Sequence, residues 1–254
     1  MIRWHAVLQV WRRNLLVWRK LAVASMLGNV VDPVMALMAF GLGLGSMLPD
    51  VKGQPYLNYL AVGALCISAM NAPTFESLYS AFSRMHTQRT WQAIMNSPVR
   101  LREVVLGECV WAMSKGMIST AAMMVVIAVL GIGSWTFWIL GWGVLALVCL
   151  MFAAFGLCMN ARAPSYDFFM FYFTLVVTPM TFLSGAFFPR SQLPGWLEGV
   201  ADHLPLSLAV DALRGMYVGE WAHLPALLAP IVVYTLLAVG LAIWLTERRF
   251  RHKD

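Results

Sequence analysis

Charge is scarce in this sequence. Asp, Glu, Lys and Arg make up only 12% of its 254 residues, against roughly 25% in an ordinary soluble domain, and 60% of the chain is hydrophobic. A soluble globular protein is thereby excluded. The four cysteines, Cys66, Cys109, Cys149 and Cys158, form no CxxC pair, which argues against a zinc or dithiol centre. Each sits in or beside an apolar run and reads as a small packing residue. His5, His86, His203, His223 and His252 all fall outside those runs, and no HExxH occurs, so neither an intramembrane haem pair nor a metal-dependent hydrolase is supported. No GxxxxGK[ST] loop is present, which removes ATP binding through a Walker motif. No catalytic, cofactor-binding or metal-ligating residue is expected. The first twenty residues also lack the short basic tip and apolar core of a cleavable leader, so the first apolar run is expected to act as an uncleaved anchor.

Long apolar runs are what the chain has instead. Six of them, 21–48, 56–79, 104–132, 135–159, 168–188 and 224–245, each approach or exceed the roughly 20 residues that a helix needs to cross about 30 Å of hydrocarbon. The expectation is an all-α polytopic membrane protein, because lipid satisfies no exposed backbone group. Ahead of the first run, Trp4, Trp11 and Trp18 recur every seven residues, with Val7, Leu8 and Leu15 on the same helical stripe. Arg13 and Lys20 fall opposite that stripe and Arg12 and Arg19 flank it. This is the layout of a helix lying in the membrane interface; a basic juxtamembrane tail is the plainer alternative.

Positive charge sets the orientation. Fourteen of the 18 Lys and Arg residues lie in the N-terminal segment, the loop after the second run, the turn after the fourth and the C-terminal tail. By the positive-inside rule both termini are cytoplasmic. An even number of spans agrees.

Three segments carry chemistry. In 83–108, Trp91, Ile94 and Met95 recur at helical spacing before Ser97-Pro98 breaks the helix, which suits a short helix presented to a soluble partner, although a solvated basic connection has similar composition. Among ionisable residues within or at the ends of the runs are Asp32, Glu76, Glu108 and Lys115. Glu108 and Lys115, seven apart on one face, are placed to form a network with Glu76, and Lys115 can snorkel. Asp32 precedes Pro33, so a role at a kink competes with substrate contact. The third segment, "SGAFFPRSQLPGW", meets Pro189 and Pro194-Gly195 and resumes at Trp196. Two amphipathic pieces follow, the second with Asp211 and Arg214 set apart from its apolar side. Together they suggest a partly re-entrant cap between the last two spans.

The pieces "WRRNLLVWRKLAVASMLGNVVDP", "LGLG", "TFESLYSAFSRMHTQRTW", "VVLGE", "APSYDFFMFYFTLVVTPMTFLSGAFFPRSQLP" and "PLSLAVDALRG" resemble the ABC-2 permeases of ABC exporters, and within them the NodJ type. The resemblance covers nearly the whole chain and departs mainly at weak positions such as "WQAIMNSPV". It implies an in-plane connecting helix at 1–20, spans one to five within 21–188 with a coupling loop at 83–103, outer re-entrant helices at 189–223, a sixth span at 224–246 and a basic cytoplasmic tail at 247–254. It also implies a bacterial inner-membrane subunit. Two permease copies would pair with two ATPase subunits of the NodI type, which bind the Mg-ATP, and the cargo would be a lipo-oligosaccharide or lipid-linked glycan. No nucleic-acid partner is implied. Carried onto this sequence, the ATPase-coupling contact falls on Arg84, His86, Gln88, Arg89, Thr90, Trp91 and Pro98, while Pro189, Pro194, Gly195, Trp196, Asp211 and Arg214 belong to the outer element. An exporter of a drug or another polysaccharide is the nearest alternative. An ion-coupled secondary transporter would instead use Asp32 or Glu76, and the absence of a clear inverted repeat counts against it. A membrane enzyme would need a convergent acid, base or metal set that the sequence does not supply.

Overall fold

A computed structural model describes residues 2–45, 47, 50–51 and 53–251, apart from the side chains of residues 24, 26, 29–30, 32–33 and 44. Almost all of it is helical. Helix α1 spans Trp4–Trp18, where neither Gly nor Pro interrupts the chain. Helix α2, Ala22–Ala36, continues as the wider π-helical segment Leu37–Leu44. Helix α3, Tyr56–Phe75, passes through Pro73 and continues by two π-helical segments, Glu76–Ser80 and Ser83–Thr87. It therefore runs well beyond Tyr79, where the apolar run stops. Short helix α4, Thr90–Met95, lies between α3 and the long helix α5, Leu101–Val129.

Helix α6 covers Trp135–Arg162, with the Ser134 hydroxyl accepting from the backbone N–H of Phe137 at its start. Helices α7, Asp167–Tyr172, and α8, Thr178–Leu183, are joined through the π-helical segment Phe173–Val177. After a turn come α9, Gly195–Ala201, α10, Pro205–Val218, and α11, Leu224–Arg251. Proline opens α10 and Gly219, at φ +83°, closes it, as expected of a residue that fixes helical φ and one that tolerates the left-handed turn. Among the described residues the only β-type pairing is an isolated bridge between Val51 and Gln54.

Three helices, Leu101–Val129, Trp135–Arg162 and Leu224–Arg251, are long and apolar enough to cross a membrane, and Val34–Gly43 and Asp167–Leu183 are shorter apolar helices. Helix α6 occupies the centre, packed against α3, α5, α10 and α11. In lipid, close approach of helices matters more than apolar surface as such, and small residues mark the crossings. A Cβ on Gly107 would lie 2.6 Å from Val10 Cβ on α1, one on Gly116 would lie 2.9 Å from Pro73 Cδ, and one on Gly156 would lie 2.6 Å from Ser77 Cβ.

Two corrections to the expected layout concern the ends of helices and the face of α1. Helix α8 stops at Leu183, and Ser184 to Phe188 form a turn in which Gly185 takes φ +80°, so the fifth apolar helix ends before Pro189 is reached. On α1 the buried residues are Ala6, Val7, Val10 and Asn14, whereas Trp4 and Leu8 are exposed. The tryptophan stripe is therefore packed only in part: Trp11 Nε1 donates to Ser114 Oγ at 3.0 Å and the Trp18 ring meets that of Trp111 on α5, while the Trp4 end is exposed. Arg13, expected on the opposite side, is partly buried and reaches Asn14 Oδ1 at 2.9 Å and Thr90 Oγ1 at 3.5 Å.

Basic residues gather at one end of the bundle. There, Arg3 holds Glu103 through Nη2 to Oε2 at 2.9 Å and Nε to Oε1 at 3.0 Å, and also reaches the Pro98 carbonyl. Arg249 donates to the carbonyls of Asn160, Ala161 and Ala163 at 2.9, 3.1 and 2.8 Å, filling acceptors that the end of α6 leaves open.

Candidate functional site

The chain's most concentrated chemistry lies at this basic end, where α3, α4 and α5 meet. The π-helical continuations of α3 carry Glu76 and Arg84 eight residues apart, and α5 carries Glu108, Trp111 and Lys115 at spacings of three and four, which places them on one face. Arg84 donates to Glu108 through Nε at 3.0 Å and Nη2 at 2.6 Å, and Nη2 also reaches Glu76 Oε1 at 2.9 Å. Glu76 accepts further bonds from Trp111 Nε1 at 2.7 Å and Lys115 Nζ at 2.7 Å. The remaining donor is Trp91 of α4, whose Nε1 meets Glu108 Oε1 at 3.0 Å.

Glu76, Glu108 and Trp91 are almost fully buried. Charges so placed are tolerated only when paired and hydrogen-bonded, and two carboxylates here face one guanidinium and one ammonium. The cluster is neutral as a unit. It also fixes α4, because the buried indole pins the short helix to α5 while Gln92, Ala93 and Asn96 stay exposed. Arg89, just before α4, takes φ +50° and is the one non-glycine residue in the left-handed region among those described. That backbone kink turns the chain from α3 into α4.

The coupling residues inferred from sequence thus divide into two groups. Arg84 and Trp91 point inward, into the ion cluster. Gln88, Arg89 and Pro98 are exposed, Thr90 is half-buried, and His86 is half-buried with its ring 4.3 Å from that of Phe82. Gln88 Nε2 donates to Ser83 Oγ at 3.3 Å. Asp32 falls in α2, but its side chain lies outside the described residues.

At the opposite end, Arg190 organises the segment between α8 and α11, the one expected to form the outer element. It donates to Asp211 through Nη1 at 3.1 Å and Nη2 at 2.6 Å, to Asp202 through Nε at 2.8 Å and to the Ser184 carbonyl at 3.1 Å. Burial alone would weaken its hold on its proton, yet the bonds and charges of Asp211 and Asp202 keep it above its ordinary value. Arg214 stacks 3.5 Å over the ring centroid of Tyr59 and donates to the carbonyls of Tyr59 and Ala186 at 3.3 and 3.2 Å. Its burial pulls it below its usual value. Pro189 precedes a short 3-10 turn, Arg190–Gln192, and Pro194 and Gly195 open α9 with Trp196 exposed beside them.

Residues 5–218 match the ABC-2 type transporter family. The chain belongs to that family. It is 44% identical to nodulation protein J of Bradyrhizobium diazoefficiens over 94% of this chain and 92% of that protein. The same protein of Rhizobium meliloti is 42% identical over the same shares. The inner membrane transport permease YadH of Escherichia coli is 22% identical over 85% of this chain and 84% of its own length. This is an ABC-2 permease of the nodulation protein J type, a membrane component of transport.

Several positions in the polar clusters of this ABC-2 permease are not prominent in its sequence. Trp111 belongs to the ion cluster, and its place between Glu108 and Lys115 on one helical face is a signal that could have found it. Arg190 lies inside the segment "SGAFFPRSQLPGW", and an arginine followed by Asp202 and Asp211 over so short a stretch is a recognisable pattern. Arg13 and Asn14 of α1 carry no sequence signal, since their importance comes from how α1 docks on the bundle.

Proposed function

We propose that this ABC-2 permease is the membrane subunit of an ATP-driven exporter, with six spans, both termini in the cytoplasm and a separate ATPase subunit that binds and hydrolyses Mg-ATP. Two permease copies and two ATPase subunits form the working unit. The basic end faces the cytoplasm, as the clustering of Lys and Arg there suggests. The observation that carries this reading is the fastening of α4 by Trp91 to Glu108, with Arg84 bridging Glu108 to Glu76. A surface helix held so firmly to two long helices transmits displacement, and its exposed residues, Gln88, Arg89, Gln92 and Asn96, supply the contact for the ATPase.

The cargo proposed is the one the NodJ resemblance implies, an amphiphile of the lipo-oligosaccharide or lipid-linked glycan class moved across the bacterial inner membrane, and the likeness to nodulation protein J supports that reading. Co-reconstitution of permease and ATPase in proteoliposomes tests the scheme. ATP-dependent release of a lipo-oligosaccharide is expected, with release lost in Arg89→Ala and Gln92→Ala variants that still assemble. Undiminished export after residues 83–98 are scrambled refutes the coupling role. Export that follows a proton or sodium gradient after ATP depletion refutes the ATP-driven mechanism.

A further inference from the structure

A cavity of about 450 Å³ opens at the basic end between α1, α3 and α5. Its polar wall is rich in donors. Asn14 is only 3% exposed, and its Oδ1 accepts from Arg13, yet its Nδ2 has no partner. Trp18 Nε1, on the same wall, is likewise buried without an acceptor. Buried N–H groups left unpaired are uncommon and costly, which makes two on one cavity wall an indication that an acceptor belongs there.

The charge balance points the same way. Glu76 also lines the cavity, but it already accepts from Arg84, Trp111 and Lys115. Because Glu76 and Glu108 neutralise Arg84 and Lys115, Arg13 is left over. Among the described residues Arg13 forms no ion pair; its bonds go to Asn14 and Thr90. Burial, and then the nearby Arg84 guanidinium, push its pKa below the ordinary value, only partly offset by Glu108. One negative charge would complete the site.

The rim identifies what kind of anion fits. Val17 and Leu21 line the mouth and are 52% and 68% exposed, and the basic pair Arg19 and Lys20 stands beside them in sequence. A free hydrophilic anion gains nothing from such a rim. An amphiphile does, because its head can fill the donor-rich wall while its chains follow the apolar mouth into the bilayer. We infer that the cavity between α1 and the bundle binds the monoanionic phosphodiester headgroup of an inner-leaflet phospholipid, held by Arg13, Asn14 and Trp18. The site is separate from the exposed face of α4, and its existence does not depend on the identity of the exported cargo.

Native mass spectrometry of the purified, delipidated full chain in detergent tests this, with phosphatidylglycerol, phosphatidylcholine and soluble glycerol 3-phosphate as probes. Wild type is expected to retain phosphatidylglycerol about tenfold over phosphatidylcholine, the difference that a single well-placed charge-assisted contact supports. Arg13→Ala should abolish that preference. Trp18→Phe, which keeps a ring against Trp111 and removes only the N–H, should reduce it several-fold, and it provides the readout if Arg13→Ala folds poorly. Arg12→Ala, at an exposed position on the same helix, should leave the preference intact. Equal retention of the two lipids by wild type overturns the inference, as does an unchanged preference in Trp18→Phe. Displacement of phosphatidylglycerol by glycerol 3-phosphate at equal concentration overturns the assignment to a lipid and identifies a free phosphate instead.

Discussion

Trp91 Nε1 donates to Glu108 Oε1 at 3.0 Å, and the two residues come from elements on either side of the Ser97-Pro98 break. The contact turns a six-residue helix, too short to be stable alone, into part of the long-helix framework. Glu108 is held on its other side by Arg84, so a load on α4 reaches α5 directly and α3 through one guanidinium.

Removing the indole N–H while keeping a ring, in Trp91→Phe, should lower stability by about 1.5–3 kcal/mol, the range for a hydrogen bond to a charged group. Glu108→Gln should be worse, at about 3–5 kcal/mol, because it leaves Arg84 short of a countercharge in a buried site. Thermal unfolding of the detergent-solubilised chain measures both. A double-mutant cycle should show the two effects to be strongly non-additive.

Charge balance within the cluster has a separate test. Glu76→Gln leaves Arg84 and Lys115 facing Glu108 alone, whereas Glu76→Gln combined with Lys115→Met restores neutrality. The double variant should unfold at a higher temperature than the single one. The reverse order would show that the Lys115 contact matters for something other than its charge.

Arg89 holds φ +50°, a conformation that costs an L-residue about 1–2 kcal/mol and glycine little. Arg89→Gly should therefore leave folding stability unchanged or slightly higher, while Arg89→Val should lower it. In the assembled exporter the glycine variant should still lose coupling, since the turn survives and the guanidinium does not. ATPase rates with and without cargo separate the two effects.

Gly107 and Gly143 make a matched pair. A methyl group on Gly107 would strike Val10 Cβ at 2.6 Å and approach the Val7 carbonyl at 3.1 Å, whereas Gly143 has nothing within 4 Å. Gly107→Ala should cost about 1–3 kcal/mol through overpacking of α1 on α5. Gly143→Ala should gain up to about 1 kcal/mol from helix propensity. Cysteine cross-linking of α1 to α5 should weaken only in the first.

The outer latch should respond unequally to loss of its two carboxylates. Asp211 meets Arg190 with both oxygens and is 32% exposed, while Asp202 offers one oxygen and is 48% exposed. Asp202→Asn should be nearly silent, within about 1 kcal/mol, as solvent-screened pairs are. Asp211→Asn should loosen the segment and speed limited proteolysis between Ser184 and Leu204.

Three of the six apolar runs, those of α5, α6 and α11, were legible as helices long enough to cross a membrane because length and hydropathy alone define them. The packed face of α1 was legible only in part. Val7, Trp11 and Trp18 of the tryptophan stripe meet the bundle, but Trp4 and Leu8 are exposed, since lipid accepts such side chains as readily as a core does, and Val10, outside the stripe, is the residue that meets Gly107. The same limit applies at Arg84. Its position in a basic loop suggests an exposed contact, and only the continuation of α3 through Thr87 turns its side chain back toward Glu76 and Glu108. Glu76 and Lys115 were suggested as partners by residue type and helical spacing, and they lie 2.7 Å apart. The docking of Arg13 beside Thr90 depends on how three elements meet and has no counterpart in local sequence.

The neutrality of the Glu76, Arg84, Glu108 and Lys115 cluster also has an electrical meaning. Displacing one net elementary charge through a 100 mV membrane potential involves about 2.3 kcal/mol, enough to make a mechanical step depend on cell energisation. Two positive and two negative groups moving as one body do almost no such work. If the proposed coupling to an ATPase runs through these side chains, its rate should be the same in polarised and depolarised vesicles.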